Sequence, residues 1–398
     1  YVNSRDKQPP IGLGTSLSGD PGQYAVDGRS LVGVAYKRGW GPGELQWQMF
    51  YDRYRYHDRY DYPQQGEIDA VGDYNDGDTL DSQLTYALPV RQSGTLTVGA
   101  QGSWDLRAQQ FNMEDGARQQ YANHPDHEAA IFVQQEWNLT SRWKLYGGVR
   151  LEQTRNFGFF VSPRLAAVYQ PSARTAYKLV YGRPYRNPSA FEQYYNDGGL
   201  SYAPAAPLER EVAQTFQASM ERQAARGWTW TLDAFHYRVS RVIEAVDVGD
   251  GVQQYQNAGR LHTTGVEAEV AGKLWRRVEA SASGVWQRAG GAGGATLPNS
   301  PRELVKSRVG VPVSGDRLFL SGALQYIAAR NAWSGDRLGG ALLADFTATW
   351  RVHPRCDVVA GLRNAFDRRY EDPIFLAVDR YRGDGRSAFL KLVWRVWE

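Results

Sequence analysis

The residues best suited to chemistry are arginines and tyrosines crowded into one short stretch. Within Tyr51–Tyr62, Arg53, Arg55 and Arg59 are interleaved with Tyr51, Tyr54, Tyr56 and Tyr60. Guanidinium groups among phenol rings can hold an anionic aromatic ligand through charge-assisted hydrogen bonds and cation–π contacts. The same mixture suits the rim of a membrane-spanning element, where rings and basic heads meet the lipid headgroups. Tyr194, Tyr195, Tyr202, Arg380, Tyr381 and Arg382 supply smaller clusters of the same kind. The residues alone leave both readings open.

Other chemistries find little support. No Gly-x-Ser-x-Gly, His-Glu-x-x-His or Gly-Lys-Ser/Thr signature occurs, so no catalytic residues are expected. The glycine run Arg288–Thr296 lacks the lysine of a phosphate cradle and reads as a flexible tip. Asp73–Asp78 is acidic, but its Gly and closing Glu are not at calcium-loop positions, so a solvated link is expected. His124 and His127 in Asn123–Glu128 offer two ligands, which do not complete a metal site. The single cysteine, Cys356, allows neither an intrachain disulfide nor a cysteine-based metal site. No metal and no cofactor are expected.

Charge excludes another class. Forty-six basic residues face 43 acidic ones, for a net charge of +3. So balanced a chain lacks the field that nucleic acid selects, and no nucleic-acid partner is expected. No apolar run approaches the roughly 18 residues of a membrane helix. A membrane barrel is compatible, because alternating strands turn half their residues to water.

The elements that must position these residues show a period of two. In Trp143–Glu152, Trp143, Leu145, Gly147, Val149 and Leu151 share a face against Lys144, Tyr146, Gly148, Arg150 and Glu152. Leu96–Asp105, Val278–Trp286, Leu45–Asp52 and Ala388–Val396 repeat the pattern, with aromatics near the ends of the apolar face. Short links, such as Pro171–Arg174 and His353–Arg355, alternate with long ones. The long ones are Arg53–Asp78, Leu106–His127, Arg183–Arg210, Arg238–Leu261, Gln287–Arg302 and Phe366–Arg386. That alternation predicts an all-β transmembrane antiparallel β-barrel with short periplasmic turns and long extracellular loops. About seventeen strands fit the template.

Ordered motifs then resemble the TonB-dependent outer-membrane receptors. Tyr181-Gly182-Arg183-Pro184-Tyr185-Arg186-Asn187-Pro188 resembles the family's Gly, aromatic, Arg, small residue and Pro stretch. Asn257-Ala258-Gly259 with Thr264-Gly265-Val266-Glu267 resembles its Asn-x-Gly … Gly-hydrophobic-Glu stretch. Asn364-Ala365-Phe366-Asp367-Arg368-Arg369-Tyr370 resembles a late Asn-x-Phe-Asp-x-x-Tyr stretch. Gly182, Tyr185, Arg186, Pro188, Asn257, Gly259, Gly265, Glu267, Asn364, Phe366 and Tyr370 are expected to act mainly in folding.

The resemblance implies a receptor in the bacterial outer membrane that imports a scarce nutrient, energised by the TonB complex. A ferric siderophore is the leading cargo and cobalamin the next; Arg53, Arg55, Tyr56, Arg59, Tyr194, Tyr195, Arg380 and Tyr381 are its candidate contacts, on external loops. Outer-membrane lipid and lipopolysaccharide are expected partners. Haem is disfavoured, since Ser189–Glu209 contains no histidine. The whole chain, 1–398, reads as barrel, with 1–28 as an extracellular loop entering the first strand. Strand direction implies that about five strands, and a plug that contacts TonB, precede Tyr1 in a barrel of about 22. An unsatisfied sheet edge is then expected near Arg29–Arg38. The alternative is a passive porin or surface adhesin, whose strand number of ~16–18 overlaps the count.

Overall fold

The computed structural model describes residues 2–7, 22–64, 67–90, 94–114, 117–199, 201–224, 227–275, 277–315, 317–374 and 379–395. The first strands are β1 (Val2–Lys7), β2 (Tyr24–Trp40), β3 (Gly43–Gln64), β4 (Glu67–Val90), β5 (Gly94–Glu114), β6 (Ala117–Asn123), β7 (His127–Asn138) and β8 (Trp143–Thr154). Next come β9 (Gly158–Ser172), β10 (Thr175–Gly182), β11 (Tyr185–Arg186), helix α1 (Ala190–Tyr194), β12 (Glu211–Gln223), β13 (Thr229–Asp247) and β14 (Gln253–Leu274). The last are β15 (Val278–Gly290), β16 (Glu303–Ser314), β17 (Leu318–Ile327), β18 (Arg330–Asn331), β19 (Arg337–Leu338), β20 (Ala341–His353), β21 (Cys356–Arg363), β22 (Glu371–Pro373), β23 (Arg380–Arg382) and β24 (Ser387–Trp394). Seventeen of the described strands have eight residues or more, in agreement with the count read from alternation.

The chain forms two compact units. One holds Tyr1–Ala167, Tyr181–Thr215 and Val239–Arg260; the other holds Val168–Val180, Phe216–Arg238 and Leu261–Glu398. In the first, β1 through β5, then β7 and β8, pair successively in antiparallel ladders. In the second, β14 through β17, then β20, β21 and β24, do the same. Among the described residues, Val32–Trp40 of β2 ladders only to β3, and β24 ladders only to β21. Over Arg29–Arg38, where an edge is expected, β1 pairs with Arg29 and Ser30, and among the described residues no second ladder runs beside Val32–Arg38.

The apolar rows are turned outward. Val32 is 66% exposed and Leu390 is 77% exposed, and Val34, Leu84, Val98, Trp104, Ile131 and Leu392 are exposed as well. A water-soluble sheet would bury such a face; a membrane barrel shows it to lipid.

Five expectations need correction. The stretch 1–28 is not all loop: β1 pairs with Ala25–Ser30, and β2 already begins at Tyr24. Tyr1 and residues 8–21 lie outside the described residues, as do Val396 and the terminal Trp397-Glu398. The Arg53–Asp78 link is ladder almost throughout, from Arg53↔Asp78 to Gln64↔Glu67. Asp73–Asp78 is thus strand and not a solvated loop. Likewise β5 and β6 fill much of Leu106–His127, and β13 and β14 leave only 248–252 of Arg238–Leu261 between them. The physical reason is common to all. Above a membrane both faces of a sheet meet water, so the apolar alternation stops while backbone pairing continues.

Candidate functional site

The extended strands β3, β4 and β5 carry two faces with different chemistry. One face continues the apolar rows. Tyr51, Leu80 and Trp104 lie side by side, and the next row outward is Arg53, Asp78 and Arg107. The row beyond pairs Arg55 with Asp76. Arg53 and Arg55 approach their carboxylates through Nε at 3.7 and 3.8 Å, and Arg107 Nη2 lies 2.7 Å from Asp78. Arg59, on the same face, donates to Asp61 at 3.0 Å. These arginines therefore sit on strands, not on loops, and each already faces an acid.

The opposite face forms a separate cluster. Asp73 of β4 pairs with Asn112 of β5, and Asp58 of β3 lies beside Asp73, between the His57↔Tyr74 and Tyr60↔Val71 pairs. Tyr56, on this face, donates its hydroxyl to Asp58 at 2.7 Å. The Asp73 backbone N–H donates to the same carboxylate at 2.7 Å. Asn112 donates to Asp73 at 2.8 Å and to the Tyr195 hydroxyl at 3.2 Å. Tyr195 in turn lies 3.4 Å from Asp73. Burial, and then the neighbouring charge of Asp58, push the Asp73 carboxyl up to about 6, against the hydrogen bond from Tyr195. Asp73 lies beyond the ~9–11 residues that a strand needs to cross hydrocarbon.

Tyr195 arrives there because α1 is fixed at its start. Ser189 accepts from the Glu192 N–H, and the Glu192 carboxylate accepts from the Ser189 N–H at 2.8 Å, a reciprocal capping box. Arg186 then grips Glu192 with two nitrogens, at 2.7 and 2.9 Å, and Glu211 with its Nε at 2.8 Å. Burial opposes the Glu192 charge, but Arg186 and the Ser189 N–H outweigh it and hold the carboxyl below its ordinary range. Around α1 the rings collect. Phe191 stacks on Tyr195 at 4.3 Å, Tyr202 on Tyr255 at 5.7 Å, and Tyr194 on His124 at 3.8 Å. A cavity of about 220 Å3 opens beside them, lined by His124, Asp126, Asn187 and Gln193 among others.

Of the sequence candidates, Tyr194, Tyr195 and Tyr56 belong to this second face, whereas Arg53, Arg55 and Arg59 do not. Arg380 and Tyr381 lie in the other unit, on the short hairpin β22–β23, where Arg380 pairs with Asp336. Phe191, Tyr255, Asp73 and Asn112 were not singled out as site residues. The readable signal for Phe191 was the Ser189-x-x-Glu192 spacing of a helix start. Among the described residues, no group of three or more His, Cys, Asp or Glu is placed to hold a metal ion.

The motif residues hold backbone. Asn257 accepts from the Glu209 N–H at 2.7 Å and donates to the carbonyls of Glu209 and Arg241 at 2.9 and 2.7 Å. That contact secures Arg241 at a φ of 59°. A Cβ on Gly265 would meet the Phe235 ring at 2.6 Å and the Trp286 carbonyl at 2.8 Å. Gly259 faces Glu244, and Gly182 faces Thr215. Asn364, at a φ of 45°, donates to the carbonyls of Arg368 and Asp384 at 2.9 and 3.0 Å. Tyr370 lies over Gly383, Tyr185 packs 4.5 Å from Phe160, and Pro188 is buried. Phe366 and Glu267 are exposed.

Comparison with known proteins fits this geometry. An iron-regulated outer membrane virulence protein of Vibrio cholerae is 22% identical over 324 residues, 75% of this chain. The chain spans 48% of that relative's length. The pyoverdine outer membrane receptor FpvA from Pseudomonas aeruginosa superposes with a TM-score of 0.80 at 13% identity, over 99% of this chain and 67% of that one. The ferric yersiniabactin uptake receptor FyuA from Yersinia pestis gives 0.76 at 15% identity, over 99% and 66%. The copper transporter OprC gives 0.77 at 13% identity, over 94% and 66%. At such identities the structures speak for a shared fold. Residues 2–365 match the family described as TonB dependent receptor-like, beta-barrel, so the chain belongs to the TonB-dependent receptors of the outer membrane, a family of receptors and not of enzymes.

Proposed function

We propose that the protein takes up a ferric siderophore across the outer membrane, with energy delivered through TonB. The observation that carries the reading is the ring cluster of Phe191, Tyr195, Tyr202 and Tyr255. It lies on the sheet face opposite the lipid-side rows and is fixed by Arg186 and the α1 capping box. Stacked rings with phenol hydroxyls at their edge suit an aromatic iron chelate, which needs apolar contact and a few hydrogen bonds. Two named relatives above are receptors for iron chelates and a third is iron-regulated, which supports the same cargo class.

The test is growth of iron-starved cells that depend on this receptor, supplied in turn with catecholate, phenolate and hydroxamate ferric siderophores, with and without TonB. The reading expects rescue by at least one aromatic siderophore, only when TonB is present. Rescue by none of them, or equal rescue without TonB, would overturn it.

A further inference from the structure

The second unit carries two cations that the ring cluster does not use. Along β16, Val305 and Val309 continue the exposed apolar rows, so Lys306 and Arg308 project from the opposite face. Trp286, opposite Glu303, and Trp350, opposite Leu318, stand near the two ends of this stretch of sheet. Both cations therefore lie within the membrane-spanning part of the wall, on the side turned away from lipid.

Two rows cross the sheet there. Glu269, Ser283, Lys306, Gln325 and Leu343 stand side by side on β14, β15, β16, β17 and β20. The next row holds Ala271, Ser281, Arg308, Ala323 and Asp345. Lys306 and Arg308 are exposed, and among the described residues their side chains form no ion pair or hydrogen bond. The acids stand two strands away, about 10 Å between backbones. Asp345 is already engaged, accepting from the Asn364 N–H at 2.8 Å. Two like charges thus sit about 7 Å apart along one strand with no acid between them. Their immediate neighbours are the hydroxyls of Ser281 and Ser283 and the amide of Gln325, all able to donate. The small Ala323 leaves room in front of Arg308, and a cavity of about 300 Å3 opens over these residues and Leu343.

A guanidinium fork and an ammonium group can close on one oxyanion, and their two charges match the roughly −1.5 to −2 of a phosphate monoester near neutral pH. We propose that Lys306 and Arg308, with Ser281, Ser283 and Gln325, form a binding site for a small organic phosphate monoester, whose apolar body lies against Ala323 and Leu343. The proposal rests on the orientation of the wall and not on the identity of the cargo.

The experiment uses the full chain as purified from outer membranes, titrated by calorimetry with phenyl phosphate, benzoate and phenol. The wild-type protein is compared with K306Q/R308Q, with the charge-preserving K306R/R308K, and with K391Q. Lys391 projects from the same face but on β24, outside the cavity. Phenyl phosphate should bind the wild type and K391Q equally, and K306Q/R308Q at least tenfold more weakly, since charge-assisted bonds are lost. K306R/R308K should keep most of the affinity. Benzoate, with a single charge, should bind more weakly than phenyl phosphate, and phenol not at all. A matched melting profile shows that K306Q/R308Q is folded. Should it melt early, S281A/S283A carries the test and should bind severalfold more weakly than wild type. Failure of the wild type to bind phenyl phosphate would overturn the proposal, as would equal binding by wild type and the folded variant. Benzoate or phenol binding as tightly as phenyl phosphate would overturn it too.

Discussion

The two faces of β3, β4 and β5 share a backbone and part company in chemistry. On one, Arg53, Arg55 and Arg107 stand over Asp76 and Asp78 and extend the apolar rows. On the other, Asp58 and Asn112 flank Asp73, which Tyr195 caps from α1. A shift of one residue in register would exchange them. The comparison teaches that residue type alone is a poor guide to the ligand. The arginine-rich stretch, chemically the most suggestive in the sequence, is on the lipid side. The cargo reading falls to rings and amides that the sequence scatters over 73–255.

That contrast can be broken by substitution. The largest effect is expected from F191A combined with Y202A, which removes two rings of the cluster. Truncating aromatic anchors that a ligand covers costs about 2 kcal/mol or more each, so siderophore binding should weaken by over a hundredfold in a fluorescence titration. R186A comes next. It strips Glu192 and Glu211 of their shared partner, and charge-assisted bonds of this kind contribute about 1.5–3 kcal/mol. Siderophore binding should fall about tenfold or more, with increased proteolysis within 189–202.

A smaller effect separates the faces by pH. The Asp73 carboxyl is raised to about 6 in the folded cluster. A carboxyl raised by burial and by Asp58 binds its proton more tightly in the folded cluster than in the unfolded chain. Its contribution to stability is therefore fully present below the ordinary carboxylate range and is lost as pH rises through about 6. Thermal stability of the folded protein should fall as pH rises through that range, and D73N should remove most of that dependence. The smallest effect belongs to R53Q/R55Q, which should change siderophore affinity by less than about twofold, since exposed pairs contribute about 1 kcal/mol or less and these face away from the cluster. A large loss of siderophore binding in that variant would merge the two faces into one site.

Much of the fold was legible because a membrane imposes it. Trp143–Glu152 and Leu96–Asp105 alternate since one side must meet lipid and the other water. Beyond Tyr51 that constraint lapses, and β3 and β4 continue on cross-strand pairs such as Arg53 with Asp78, which carry no apolar signature. The motif asparagines were legible as turn residues. Their partners were not, because Asn257 bonds Glu209, just before β12, and Arg241 of β13, and only the fold brings them within reach. The same limit hid Asp73 and Asn112, which lie 122 and 83 positions from Tyr195.

The most direct test of the central claim is uptake of radio-iron presented as an aromatic siderophore, in cells depending on this receptor. Strains with and without TonB would carry the wild-type protein, F191A/Y202A or R53Q/R55Q. The account predicts uptake that requires TonB, is abolished in F191A/Y202A and is retained in R53Q/R55Q. Uptake that persists without TonB, or that survives loss of the rings and fails with loss of the arginines, would contradict it.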